Sequence, residues 1–173
     1  MKNKNLILAI FSLTLFFSFT VSAQKTENKS SFSYDSFEVK SINNIISTVY
    51  ELISGHAGDR DWVKFKALFC SNAQFTSLKI NEKGKEVFFR GGIDDYIAYL
   101  KPILKEYDYY EKETGRSIQE SGNIAQVFSM FESIMLEDNT PENRKGANCF
   151  QLIYKNNRWW IINVLWNNEP RGM

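Results

Sequence analysis

The chain has 173 residues, 43% of them hydrophobic and 15% aromatic, and its 21 basic and 20 acidic side chains leave a formal net charge of +1. That length and apolar content suffice for one globular domain with a real core, and the near-neutral balance gives no general electrostatic reason to expect nucleic acid or an anionic membrane surface as partner. Nine Gly, three Pro and the aromatic load exclude collagen-like and disordered classes, and a single His with two distant Cys names no reaction.

Lys2 and Lys4 precede an apolar run from Leu6 to Phe19, followed by Val21-Ser22-Ala23, small residues at the positions a signal peptidase reads. This is the pattern of a secretory leader cut after Ala23, and the run is short against the about 20 residues of a membrane span. Residues 1–23 are therefore expected to be a signal peptide, the product exported to a periplasm or medium, and no stable membrane insertion to remain after cleavage. Cleavage removes two lysines and no acid, so the net charge becomes −1. Residues 24–37 are polar and without apolar period, and are expected to form a tether. Export permits a disulfide between Cys70 and Cys149, but two buried free thiols fit the sequence equally. With His56 the only imidazole, a metal site is not expected, and no motif calls for a cofactor.

Val39, Ile42, Ile45, Ile46, Val49, Leu52 and Ile53 recur at three- and four-residue steps and predict a helix ending at Gly55. A second helix follows, with Asp59 or Asp61 as cap and Trp62, Phe65, Leu68 and Phe69 on its buried face. Gln74–Ile80 and Glu86–Arg90 predict a hairpin about the turn Asn81–Gly84. Beyond Gly91-Gly92, acids Asp94 and Asp95 open a third helix with stripe Tyr96, Ile97, Leu100, Ile103 and Leu104, which Pro102 is expected to kink or end. The remainder reads as long strands, Tyr107–Glu120, Ile124–Leu136, Ala147–Lys155 and Trp159–Trp166, with turns at Ser121-Gly122-Asn123 and Asn156-Asn157 and a polar loop from Glu137 to Gly146. Helices first and an antiparallel meander afterwards make an α+β chain.

Two local patterns carry a resemblance. One is Asp59-Arg60-Asp61-Trp62 with Phe65, Leu68 and Phe69, then Ala73 and Phe75 leading into a strand; the other is the closing segment after Phe150-Gln151-Leu152, Asn156-Asn157-Arg158-Trp159-Trp160-Ile161-Ile162. In that order of elements the chain resembles the nuclear transport factor 2-like (SnoaL-like) superfamily over residues 38–169, leaving 170–173 as a tail. The resemblance implies a cone-like α+β fold, in which a curved antiparallel sheet wraps three helices from the N-terminal half around an open pocket and commonly dimerises through the sheet. Members include isomerases, dehydratases, cyclases and hydrolases as well as non-catalytic binders, so the fold does not choose a function.

A two-residue turn at Asn156-Asn157 places Tyr154 opposite Trp159, Leu152 opposite Ile161 and Phe150 opposite Asn163 on one face. Ile153 with Trp160, Gln151 with Ile162, Cys149 with Val164, and Trp166 fall on the other. Both faces are apolar, which predicts helices and pocket on one side and, on the other, either a second copy in a homodimer or a partial cover of tether and tail. A two-residue turn near Gly122 sets Glu132 opposite Glu111 or Glu113, sharing a face with Tyr109, Gln126, Phe128 and Met130, unless a one-residue bulge intervenes. Two carboxylates at ~5 Å repel by about 3 kcal/mol at an effective dielectric near 20, so burial would make one an acid and the other a base. Glu111 and Glu132 are thus the candidate catalytic pair, with a solvated, lysine-screened face as the alternative. Trp62, Phe69, Tyr96, Tyr109, Phe128, Met130 and Asn148 are the candidate ligand-binding residues. Trp62, Phe69, Tyr96 and Trp160 otherwise read as core, Asp61 as an N-cap, His56 as a loop residue, and Arg144 as a partner for Glu142 or a ligand carboxylate. Three functions remain open: a pocket for a small hydrophobic or amphipathic ligand, a proton-transfer enzyme, and an interaction module.

Overall fold

The computed structural model describes residues 39–168, apart from 81–82 and 138–139. The leader and tether expected over 1–37 and the tail at 170–173 lie outside the described residues. Three helices, α1 (Ile42–Ile53), α2 (Trp62–Ala67) and α3 (Ile93–Glu106), accompany six strands: β1 (Phe69–Ile80), β2 (Glu86–Gly92), β3 (Asp108–Ser121), β4 (Ile124–Glu137), β5 (Thr140–Lys155) and β6 (Arg158–Asn168). The strands form one curved sheet in the order β2-β1-β6-β5-β4-β3. Neighbours run antiparallel except β1 and β6, which pair in parallel, so the sheet is mixed rather than purely antiparallel.

Each helix starts where the sequence supplies a cap. Ser41 Oγ accepts the Asn44 N–H at 3.1 Å, Asp61 Oδ1 accepts the Lys64 N–H at 2.8 Å, and Asp95 Oδ2 accepts the Gly92 N–H at 2.8 Å. The apolar stripes then face the sheet: Ile45, Ile46, Phe65, Phe75, Leu104, Phe150, Leu152 and Ile161 are each at most 2% exposed. Burial of each such side chain is worth roughly 1.5–3 kcal/mol. Pro102 does not end α3, which continues to Glu106. Leu104, just beyond the proline, is fully buried, and its carbonyl accepts the Gly58 N–H at 3.0 Å, so tertiary contacts hold the turn that the proline weakens.

The expected loop at 137–146 is mostly strand, since β5 begins at Thr140 and pairs with β4 from there. Gly146 explains part of this: a Cβ there would stand 2.3 Å from the Asn167 carbonyl oxygen and 2.6 Å from the Phe131 ring, so the strands close around a residue that composition marks as a loop. Asn156 and Asn157 take φ values of 55° and 60° and form the expected two-residue turn between Lys155 and Arg158. Pairing follows expectation through Leu152–Ile161, then shifts: Gln151 faces Asn163, Phe150 faces Val164 and Cys149 faces Leu165. Ile162 is the extra residue of a bulge. Beyond it the parity of β6 inverts, which moves Val164 and Trp166 from the face expected to hold Trp160 to the opposite, concave one. Cys70 and Cys149 are both free thiols.

Candidate functional site

A cavity of about 280 Å³ lies between the concave sheet face and the helices. Its walls are aromatic. Phe75 stacks on Tyr96 with centroids 4.3 Å apart and planes 13° from parallel, Phe65 lies over Tyr96 at 6.0 Å, and Trp166 meets Tyr96 edge-on at 5.5 Å. Phe69, Phe131, Phe150, Leu104 and Met135 add to the apolar lining, while Tyr109, Glu111, Asn148, Arg144, Lys79 and Asn168 are among its polar groups.

Glu111 is the acid of this cavity. Tyr109 Oη donates a very short hydrogen bond to its Oε2, and Asn148 Nδ2 donates to Oε1 at 3.2 Å. Burial pushes its carboxyl up to about 7; the two neutral donors pull in the opposite direction but bring no counter-charge. Burial, with the Glu111 charge nearby, also raises the Tyr109 and Tyr96 phenols. The accessible surface that Glu111 retains opens into the cavity and into a shallow cleft between α1 and β3.

The position of Glu111 is fixed from two directions. From α1, Ser54 Oγ accepts the Glu111 N–H at 3.0 Å and donates to its carbonyl at 3.2 Å, while Gly55 and Tyr109 exchange backbone hydrogen bonds at 2.7 and 2.9 Å. Arg60 holds that segment by donating to the carbonyls of Ile53, Gly55, His56 and Gly58 at 2.7–3.2 Å. From the sheet, Asn148 donates its other N–H to Tyr50 Oη at 3.1 Å, Tyr50 contacts Ser129 Oγ at 2.7 Å, and Ser129 donates to Glu113 Oε1. Because Tyr50 accepts from Asn148 and Ser129 gives its proton to Glu113, Tyr50 is the donor in the middle link. Arg116 anchors the chain, reaching Glu113 at 2.8 and 2.5 Å and Asn43 of α1 at 2.8 Å. Burial pushes the Tyr50 phenol up to about 12, so it keeps the proton this direction requires.

The candidate glutamate pair is divided. Pairing of β3 with β4 shifts between Glu113 and Gly115, so Thr114 forms a bulge and Lys112, not a glutamate, faces Glu132. Glu132 lies on the convex face, bonded to Lys145 at 2.7 Å, and that bond and charge hold its carboxyl below the usual range. Phe69, Tyr96, Tyr109 and Asn148 line the cavity. Phe128 and Met130 point the other way, 48% and 49% exposed on the convex face. Trp62 sits behind the cavity wall, edge-on to Phe65 at 5.8 Å, and its Nε1 is buried without a hydrogen-bond partner among the described residues. Trp160 is on the convex side under the Arg158 guanidinium at 3.7 Å. Asp61 caps α2, exposed His56 bonds Asp108 at 2.8 Å, and Arg144 pairs with Glu142 at 2.7 Å. Sequence reasoning missed Tyr50, Ser129, Arg60 and Lys79; the signal for Ser129 was its place in the apolar alternation Ala125, Val127, Phe131 of β4.

No family model matches the sequence, and comparison with curated proteins finds no match. Solved structures do match. A provisionally assigned scytalone dehydratase from Novosphingobium aromaticivorans aligns with a TM-score of 0.60 at 14% identity, over 75% of this chain and 82% of that one. A nuclear transport factor 2-like protein with a cystatin-like fold from the same organism gives 0.55 at 11% identity over 72% and 77%. The association domain of calcium/calmodulin-dependent protein kinase II from Caenorhabditis elegans gives 0.53 at 14% identity over 73% and 92%. The chain has the nuclear transport factor 2-like fold. At these identities the likeness concerns the fold alone, and the chemistry of the cavity on this nuclear transport factor 2-like sheet is set by its own residues.

The raised Glu111 carboxyl has a consequence for stability. Between the ordinary glutamate value of 4.5 and about 7 the folded state binds more protons than the unfolded one, so stability falls as pH rises through that window and levels off above it. The full swing is roughly 3 kcal/mol. Urea denaturation at pH 5 and pH 8 is expected to show this loss in the native protein and to lose most of it in Glu111→Gln; equal slopes in both would show that Glu111 ionises normally.

Proposed function

We propose that this protein binds a small, largely apolar ligand in its aromatic cavity, with Glu111 as the polar group that orients it. The observation that carries this reading is a carboxyl held by neutral donors only, facing an aromatic-walled cavity. A carboxyl that is part protonated at neutral pH can donate to a carbonyl or accept from a hydroxyl or amine, so it suits a ligand with one such group at its inner end. Any proton-transfer chemistry at this site would use Glu111 alone, because Glu132 is on the other side of the sheet. Titration with the neutral dye N-phenyl-1-naphthylamine is expected to give saturable fluorescence enhancement, weakened about tenfold in Met135→Trp, which fills the lining near one end of β4. No enhancement in the native protein would overturn the reading.

A second reading rests on the convex face. Phe128, Met130, Ile134 and Leu165 are 42–49% exposed there, and Phe128 and Leu165 both flank Cys149 across three neighbouring strands. Such a band is more than a monomer ordinarily leaves in water, and similarity to an association domain supports homo-oligomerisation. We therefore propose a homodimer through the sheet. Sedimentation at micromolar concentration is expected to give a dimer, and the Phe128→Lys, Leu165→Lys double variant a folded monomer; a monomeric native protein would remove the proposal.

The basic, apolar and small-residue pattern of residues 1–23 supports export. The mature protein recovered from its own cells is expected to begin at Gln24 by intact mass, and a product retaining Met1 or Lys2 would contradict it.

A further inference from the structure

The cavity has a charged end whose composition narrows the ligand class. Strand registers place Lys79 near the end of β1, Asn168 at the end of β6, Arg144 early in β5, Met135 late in β4 and Tyr109 at the start of β3, all at one end of the sheet. All five residues line the cavity. Lys79 follows Ala73, Phe75 and Ser77 at two-residue steps, so it stands on the concave side of β1, and it makes no ion pair or hydrogen bond to the described residues. Arg144 occupies the same face of β5 as Asn148 and Phe150. One carboxylate, that of Glu142, meets Arg144 at 2.7 Å, and the planar guanidinium has five N–H donors, so further donors remain for a second acceptor. Glu111 lies on the same rung as Arg144, two strands away across Ser133, and burial leaves its carboxyl only part ionised near neutrality. Among the residues lining the cavity, Lys79 and Arg144 are the two cations and Glu111 the one acid, beside a wall of aromatic rings.

On the ligand-pocket reading, we infer that the cavity takes an amphipathic ligand with an anionic group, a carboxylate, sulfonate or phosphate, held at this end by Lys79 and Arg144 while its aromatic or aliphatic body lies against the Phe75–Tyr96 stack. An anion there supplies Lys79 with a counter-charge that the described residues do not, and the apolar body removes the ring faces from water.

Two dyes that differ by one sulfonate test this. 8-Anilinonaphthalene-1-sulfonate is expected to bind about tenfold tighter than N-phenyl-1-naphthylamine at low salt, with the advantage shrinking as salt rises. Lys79→Gln and the Lys79→Gln, Arg144→Gln double variant are expected to reduce that advantage stepwise, the anionic dye losing more affinity than the neutral one. Met135→Trp should weaken both dyes, which assigns them to the cavity rather than to the convex face. Equal affinities in the native protein, or an advantage that survives the double variant, would overturn the anionic class while leaving the pocket reading standing. Binding of neither dye would overturn both.

Discussion

Alternation of side chains along a strand is the constraint on which this site depends. In a sheet with one face on helices and the other outward, a single unpaired residue sends everything beyond it to the opposite side. Thr114 does this on β3 and Ile162 on β6. The first separates Glu111 from Glu132, turning Glu111 into the cavity while Glu132 stays on the convex face. The second turns Val164 and Trp166 inward, where Trp166 closes the wall against Tyr96 and Phe89. Without these two offsets the same residues would make a different cavity, with Trp166 and Glu111 both turned to the convex face.

Much of this was legible in the sequence. Helices α1 and α3 follow the apolar period closely, because their stripes are local, and Asp61 caps α2 as expected; Leu68 and Phe69, expected on the buried face of α2, lie past its end, and Phe69 opens β1. The Asn156-Asn157 turn was legible because two adjacent left-handed residues in a hairpin favour asparagine. What could not be read is what depends on partners distant in sequence. Thr114 and Ile162 carry no mark of a bulge, since a bulge is a mismatch between two strands and not a property of either. Gly146 reads as loop until the Phe131 ring and the Asn167 carbonyl are seen to occupy the space of its missing side chain. Pro102 reads as a helix end until the buried Leu104 is placed beyond it. In the site, Tyr109, Glu111 and Asn148 were identifiable as members of strand faces, but which face was inner followed only from the registers.

The two glutamates that β3 turns towards the helices differ in how their charge is compensated. Glu111 and Glu113 are two residues apart on β3 and both point towards the helices, yet their surroundings differ. Glu113 has the Arg116 guanidinium in fork geometry and a serine donor. Glu111 has a phenol and an amide, donors that help an anion but do not neutralise it. A buried carboxylate without a counter-charge takes up a proton more readily, and its raised titration follows.

The hydrogen-bond chain joining these two glutamates adds a direction. Arg116 keeps Glu113 an acceptor, Glu113 takes the Ser129 proton, Ser129 therefore accepts from Tyr50, and Tyr50 accepts from Asn148. The Asn148 amide nitrogen is thus turned towards both Tyr50 and Glu111, and an amide flipped the other way would set its oxygen against the Glu111 carboxylate and the Tyr50 lone pairs. The charge of Glu113, outside the cavity, in this way fixes a donor inside it. The two acids of β3 consequently play different parts. The paired Glu113 and Arg116 set orientation, and Glu111, held by neutral donors, is the acid left without a counter-charge at the cavity wall.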